Sequence, residues 1–596
     1  MNRDIYALRL LRIVLSFALV GAASVGAQIR ETGPSTEQDR AKSLYSQGMT
    51  ALQKGDLGSA HEVFEKLVSL VPTSPEAHNS FGWVLLHQGQ VDSAIVQFNS
   101  ALKLRPGFPQ AHLNLANALA ERRDFAEAET QAREAVRVAP GDSETHRTLG
   151  RVLSFRGDLQ NAIGQFQTAI SLDPKRPDLH DDLGSLFEQT DHIDEAIAEF
   201  SEALRLQPDF PLAEMHLGVI RWQQKSLPQA HDLLDKAVQA NPDDAQAHYY
   251  FGRVLEDEKE SEQALSELKK AVALQPNFAD AQQSLGMLQQ RTGDTEAAVT
   301  SFRRLVELRP QDPDAHNNLG LALIQKGNAA AAIPEFESAL RLHPNDPGYT
   351  ENLGTAYLQT TDFDGAIAQF QRALKIAPED ATAHYDLGLA LKLKDRLPEA
   401  LAELRKAAEL SPDQPDIHYT LGVTLWQQGN FGDAEKELRL ATEAKPDYAE
   451  AYYTLGTVLR QDGKLDDAAV ALRKAISINP DLIGAHTNLA AILRQQGKPE
   501  EAEAETHRGQ ELLKQSSSLQ TATFDTNSGN KLLEAGDLDG AIAQFRAAIA
   551  LTPNFGRAHQ FLAQALERKG EKEQAEEELR KAAELASGPQ QQSPKP

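Results

Sequence analysis

The sequence predicts an all-α solenoid of stacked helix pairs, and three observations carry that prediction. Prolines recur every 34 residues without insertion or deletion, at Pro72, Pro106, Pro140, Pro174, Pro208, Pro242, Pro276, Pro310, Pro344, Pro378, Pro412, Pro446 and Pro480. Between successive prolines the apolar residues fall in two stripes at helical spacing. The composition suits helix: aromatic residues are 6% of the 596-residue chain, charged residues 24%, and Ala, Leu, Glu and Gln are prominent. Length alone would suggest about four globular domains, but a fixed period of this size marks a repeat array.

The elements follow in chain order. Residues 1–27 open with Arg3, Arg9 and Arg12, continue through the uncharged stretch Ile13–Ala27 and end in the small residues Val25-Gly26-Ala27. This pattern predicts a signal peptide cut before Gln28, with a retained N-terminal anchor as the alternative, although the stretch is short for a membrane span. Residues 28–40 are expected to be a disordered linker. Residues 41–516 hold fourteen units when each unit is ended two residues after its proline. Position 8 is then Gly or Ala, as in Gly48, Gly320 and Ala490; position 20 is always Ala; position 24 is mostly Phe or Leu, as in Phe64, Phe336 and Leu438.

Within a unit such as 313–346, Leu319, Gly320 and Leu323 share one helical face, and Gly327-Asn328 breaks it. Position 16 is often Asp or Asn (Asp56, Asp158, Asp294, Asn430), suited to cap the second helix. Ala332, Phe336, Ala339 and Leu340 repeat the stripe, and Pro344 ends it. Small residues at positions 8 and 20 let two helix backbones approach, and the larger one at 24 fills the space beside them. One such pair cannot bury its stripe alone, so pairs stack. In the fourteenth unit Thr506 and Lys514 replace the usual Phe or Leu and the proline, and the ruler resumes five residues late. Residues 517–521 are therefore expected to be a hinge or interruption, or else a slightly long turn in one continuous solenoid, 522–587 two further units with a charged capping helix, and 588–596 a disordered tail.

These residues and spacings resemble the tetratricopeptide repeat. The resemblance covers nearly everything after the leader and implies a right-handed superhelix with a concave, partner-binding inner surface. It places positions 2, 5, 9 and 12 of each first helix on that surface. Position 5 then offers Tyr249, Tyr385, Tyr419 and Tyr453, and position 12 offers Trp222, Lys392, Trp426, Arg460 and Arg494. Aromatics and Arg are the types enriched at binding hot spots. Asn117, Arg147 and Arg151 partly resemble the carboxylate clamp of chaperone-binding members, although Asn79 and Trp83 stand where that family has Lys and Asn. The "HNNLG" wording at 316–320 also resembles the repeat region of O-linked N-acetylglucosamine transferases, but position 6 is Asn only at Asn114, Asn318, Asn352 and Asn488, and no catalytic domain is recognised.

A histidine ladder at position 4 (His78, His112, His146, His180, His248, His316, His384, His418, His486, His559) invites a metal or catalytic reading. Other units place Leu44, Gln282, Thr350 or Tyr452 there, a range that no ligand position tolerates, and no His-Glu-x-x-His pair occurs. Packing or hydrogen-bonded histidines are the expectation. No phosphate loop, nucleophile elbow or dinucleotide fingerprint is present. The absence of cysteine excludes disulfides, thiolate metal sites and a lipoprotein anchor. The net charge of −26 argues against nucleic acid and anionic lipid surfaces. The expectation is a non-enzyme with no metal and no cofactor: an exported, periplasmic or secreted scaffold that binds extended or helical segments of partner proteins. The alternatives are a scaffold for polysaccharide synthesis or export, or the targeting subunit of a separately encoded glycosyltransferase. Membrane attachment is expected only if the N-terminal segment is retained.

Overall fold

The computed structural model describes residues 35–587, which form 31 helices joined by short turns and no strand. The leader, most of the linker and the tail lie outside the described residues. The helices divide into two compact bodies, one ending at Leu308 and one beginning at Arg309. Each is a run of helix pairs, here called A and B, in which every helix packs against its neighbours in sequence.

Repeat 9 shows why the chain folds this way. Helix A, Pro313–Gln325, starts with Pro313 in the first turn, where a missing N–H costs nothing, and Asp312 accepts from the amide of Asp314. Gly327 ends it with φ +79°. Helix B, Ala329–Leu342, is capped by Asn328, whose side chain accepts from the Ala331 amide. Asp56, Asp294 and Asn430 cap in the same way, whereas Asp158 makes no such bond. The left-handed turn recurs at position 15 of the other repeats even where glycine is missing: Arg123, Asp191, Lys225, Lys259, Thr361 and Asp395 all have φ between 60° and 67°.

The core of each pair is a close approach between positions 8 and 24. A Cβ added to Gly320 would lie 2.5 Å from the Phe336 ring, and one added to Gly48 would lie 2.7 Å from Phe64. Phe336 and Phe64 are fully buried, as is every position-20 alanine from Ala60 to Ala502. Where position 8 carries a methyl, the partner changes. Ala116 faces a repeat with Ala132 at position 24, Ala490 one with Thr506, and Ala563 one with Leu579, which is 47% exposed.

Two expectations are corrected here. Residues 35–40, read as linker, are the first turns of the helix Ser35–Gln53. Residues 517–521, read as a hinge or interruption, lie inside one 37-residue helix, Pro499–Ala535, which serves both as helix B of repeat 14 and as helix A of repeat 15. The reason is local. Between Glu500 and Ser528 there is no proline and only one glycine, Gly509, so nothing stronger than weak Ser, Thr, Asp and Asn preferences opposes the helix, and Lys514 stands where the proline follows the B helix in the preceding repeats. Repeat 15 nonetheless opens a fresh stack. Positions 3, 7 and 10, buried in repeat 9 as Ala315, Leu319 and Ala322, are the exposed Ser43, Gln47 and Thr50 in repeat 1. In repeat 15 they are Phe524, Ser528 and Lys531, with Phe524 72% exposed.

The histidine ladder ties the pairs together. In all ten repeats Nδ1 meets the side chain of position 23, 19 residues on; in repeat 9, His316 reaches Glu335 Oε2 at 2.7 Å. In nine, Nε2 also meets the carbonyl of the proline six residues back, as His316 does with Pro310 at 3.2 Å. His180 keeps only the first of these bonds. The acceptor at position 23 is Gln in repeats 2–4 and Glu in the rest. A glutamine amide can turn an N–H toward a neutral ring. A carboxylate and a carbonyl both only accept, so a ring between them is satisfied on both sides only as the imidazolium.

Electrostatics agree in repeats 5, 7 and 12. The bond to Glu199 raises His180, with Glu202 adding to it. Burial opposes the charge on His248, but Glu267 and the Pro242 carbonyl outweigh it despite Lys270 nearby. The bond to Glu437 raises His418, supported by the Pro412 carbonyl and Asp413. Burial opposes the charge on Glu267 as well, and His248 and Lys270 outweigh it, so this carboxyl is lowered. A raised histidine stabilises fully below its unfolded value and loses that contribution as pH rises through the folded one. A lowered carboxyl stabilises above its unfolded value and loses that as pH falls. Local stability of repeat 7 is therefore greatest between the ordinary carboxyl and imidazole values, about pH 4.5 and 6.5, and declines as pH rises above that range. Hydrogen exchange of the 245–274 amides, corrected for intrinsic rates, checks this, and Glu267→Gln should flatten the decline.

Candidate inner binding surface

Within each body the A helices of successive repeats touch, whereas the B helices do not pack on one another in the same way. The A helices therefore line the inner side. Side chains at positions 5 and 6 link neighbouring A helices: Asn114 donates to Asn79, Arg147 to Asp182 and Asn352 to Asn317, while His216 meets Asp181. Asn317, beside the His316 of the ladder, is thus a link between repeats 9 and 10.

In the N-terminal body the structure brings Trp222 and Tyr249 together. The Arg253 guanidinium lies 5.2 Å over the Trp222 ring and donates to the Tyr249 hydroxyl at 3.4 Å. Trp222 Nε1 donates to Asp257 at 2.8 Å, and the Tyr249 ring centroid is 5.0 Å from those of Tyr250 and Phe278.

The clamp trio is arranged differently from a clamp. Arg147 is 4% exposed and lies 2.6 Å from both Asp178 and Asp182. Burial opposes its charge, but Asp182, Glu144 and Asp178 outweigh it and hold its pKa above the ordinary value. A guanidinium closed in by two carboxylates has no face left for an incoming one. Arg151 lies in the same network, and its Nε is buried. Asn117 is half-buried on the A helix of repeat 3, Pro109–Glu121. Arg147 and Arg151 belong to a buried ion network with Asp178 and Asp182 that joins repeats 4 and 5, which corrects the clamp expectation.

The C-terminal body holds the other seven predicted residues, all on A helices of repeats 11–14. Tyr385, Tyr419, Trp426 and Tyr453 are half-buried and rest on the core made by Leu421, Leu425, Leu455 and Leu459. Tyr385 is 3.3 Å from the Thr420 hydroxyl. Tyr419 lies 5.1 Å from the Tyr448 ring, whose hydroxyl donates to Asp416. Trp426 Nε1 donates to Gln461 at 2.7 Å, the register that Trp222 uses toward Asp257. The Tyr453 hydroxyl sits where a Cβ on residue 484 would be, 2.7 Å away, so Gly484 makes room for it. Lys392 and Arg460 are half-buried without a carboxylate partner among the described residues, and burial alone holds Lys392 below the ordinary lysine range. Arg494 is exposed and donates to the Thr506 hydroxyl at 2.6 Å.

Two residues on this surface escaped the sequence reading. Burial, then Asp380, Asp386 and Asp346, push Glu351 up to about 7, and burial, then Asp380, pushes Asp386 up to about 6. Acids among many acids carry no signal in sequence; only partial burial sets them apart. Among the described residues no group of His, Asp and Glu is arranged to hold a metal ion.

Residues 45–112, 147–211, 182–244, 284–347, 352–415 and 526–591 match a tetratricopeptide repeat family, which covers more than half of the chain. Residues 85–152, 221–288 and 391–457 match a second such family, and 456–497 a TPR repeat. No curated protein matches the chain. Among solved structures it is similar to the APC/C hetero-tetramer Cut9–Hcn1 (15% identity, TM-score 0.36, 88% of this chain and 96% of that one). It is also similar to yeast Tom70 (16% identity, TM-score 0.30, 72% and 97%). A third is YrrB, a TPR protein with an unusual peptide-binding site (26% identity, TM-score 0.28, 30% and 93%).

The buried network makes a prediction. Arg147→Ala leaves the buried Asp182 without its main cation, while Asp178 keeps Arg176, and should destabilise repeats 4–5 by about 3–5 kcal/mol, read by urea denaturation. Peptides with free and amidated C-termini should bind the protein equally, since no clamp is open.

Proposed function

The chain belongs to the tetratricopeptide repeat family, and from that premise we propose that it is a non-catalytic scaffold whose inner surface binds extended or helical segments of partner proteins. The observation that carries this reading is the half-buried aromatic row of repeats 11–13, Tyr385, Tyr419, Trp426 and Tyr453, on one face of consecutive A helices. Their lower edges are held by core contacts and by bonds to Thr420 and Gln461, which fixes the rings before a partner arrives. Rigid aromatic side chains lose little entropy on binding and present large apolar area, which is why they act as anchors. Trp222 and Tyr249 form a second, smaller anchor group in the N-terminal body.

The scaffold is exported in this reading, on the strength of the leader-like segment 1–27, with an envelope-associated or secreted assembly as its setting. No helix among the described residues is long and apolar enough to cross a membrane.

The test is crosslinking capture from the native host with the full chain and with Tyr419→Ala plus Trp426→Ala. Partners lost from the double variant, at unchanged helicity, support the groove. An unchanged set of captured proteins removes it. N-terminal sequencing of the purified protein reports export: a chain that begins at Gln28 has been processed as proposed, and one that begins at Met1 has not.

A further inference from the structure

We propose that the inner surface of repeats 11–14 takes an extended acidic segment that presents carboxylates to repeats 11, 13 and 14 and an apolar residue to repeat 12. This rests on the groove reading above and names the chemistry of its occupant.

Position 12 of four successive repeats reads Lys392, Trp426, Arg460, Arg494. The chain has 86 acidic residues against 60 basic ones, so a half-buried cation without a carboxylate stands out. Three nearby cations are paired: Lys394 with Asp364, Lys464 with Glu435 and Asp462, Arg473 with Glu501. Among the described residues the half-buried Lys392 and Arg460 meet no carboxylate, and Arg494 meets only a hydroxyl. A partly desolvated cation without a counter-charge is unfavourable, and a bound carboxylate relieves it. Burial has already shifted Lys392 for want of one.

The surroundings favour one lateral orientation. Position 9 is uncharged in these repeats: Leu389, Val423, Thr457, Ala491. Across the tyrosines the sign reverses in repeats 12 and 13, with Asp416 and Glu450 at position 2 of the A helices. Asp416 already accepts from Tyr448. An anionic edge is therefore attracted to the position-12 side and repelled from the other.

Spacing sets the pattern along the segment. Helices in contact lie about 8–10 Å apart. A polyproline II segment advances about 9 Å in three residues. A segment crossing the A helices thus offers the same edge to each repeat at every third residue. Trp426 interrupts the cations in repeat 12, so the matching residue there is apolar. The motif is acid-x-x-apolar-x-x-acid-x-x-acid, read in either chain direction.

The probe is the peptide Glu-Ser-Pro-Leu-Ser-Pro-Glu-Ser-Pro-Glu and its reverse, acetylated and amidated, against forms with Gln for every Glu. Binding to the full chain is followed by fluorescence anisotropy at low salt. The Glu form in one direction should bind about tenfold tighter or more, the effect of a few part-desolvated charge pairs. Lys392→Ala plus Arg460→Ala should erase that preference with an unchanged thermal melt. Equal binding of Glu and Gln forms overturns the proposal; if Trp426→Ala then weakens both, the groove reading survives and only the anion preference is lost. No binding of the Glu form in either direction also overturns it, and insensitivity of any residual binding to Trp426→Ala removes the groove reading too.

Discussion

The structure depends on one close approach, that of the position-8 backbone to the position-24 side chain. With no Cβ on Gly320, the ring of Phe336 packs directly against helix A. Interiors are close-packed, so this contact fixes the separation of the two helices to within about a methyl group. Ala332, fully buried at position 20, lets the facing turn come equally near. The chain itself records the coupling: a methyl at position 8 goes with a smaller or displaced residue at position 24, as in Ala116 with Ala132 and Ala563 with the exposed Leu579.

With the pair fixed, its open ends are closed by polar bonds. The position-4 histidine joins helix A to helix B through position 23 and to the preceding turn through the proline carbonyl. Positions 5 and 6 join one A helix to the next. These links use up the residues that first suggest chemistry. The side chains left with unmet capacity are the aromatic row and the cations at position 12 in repeats 11–14. The proposed binding is placed there for that reason.

Much of this could be read from the sequence. The proline ruler, the Gly and Ala positions and the helical stripes give the paired-helix repeat, because each is a local requirement repeated many times. Three features could not be read so directly. The partner of each histidine lies 19 residues on; the signal was present, since His repeats carry Gln or Glu at position 23 whereas the repeat with Glu214 carries Leu233. The fused helix at 499–535 is hidden because the break in the proline ruler at Lys514 resembles an interruption, whereas with no proline there the helix simply runs on. The clamp expectation failed because Asp178 and Asp182, one repeat away, neutralise Arg147, a relation that only the inter-repeat register reveals.

The most direct measurement is a double-mutant cycle on Gly320→Ala and Phe336→Ala, with local stability of repeat 9 read from hydrogen exchange. Gly320→Ala alone should cost about 1–3 kcal/mol through overpacking, and Phe336→Ala alone about 3–5 kcal/mol. The double variant, which recreates the Ala116–Ala132 pair, should be more stable than the sum predicts by about 1 kcal/mol or more. Strict additivity would contradict the account, because it would mean that the glycine and the ring do not set each other's position.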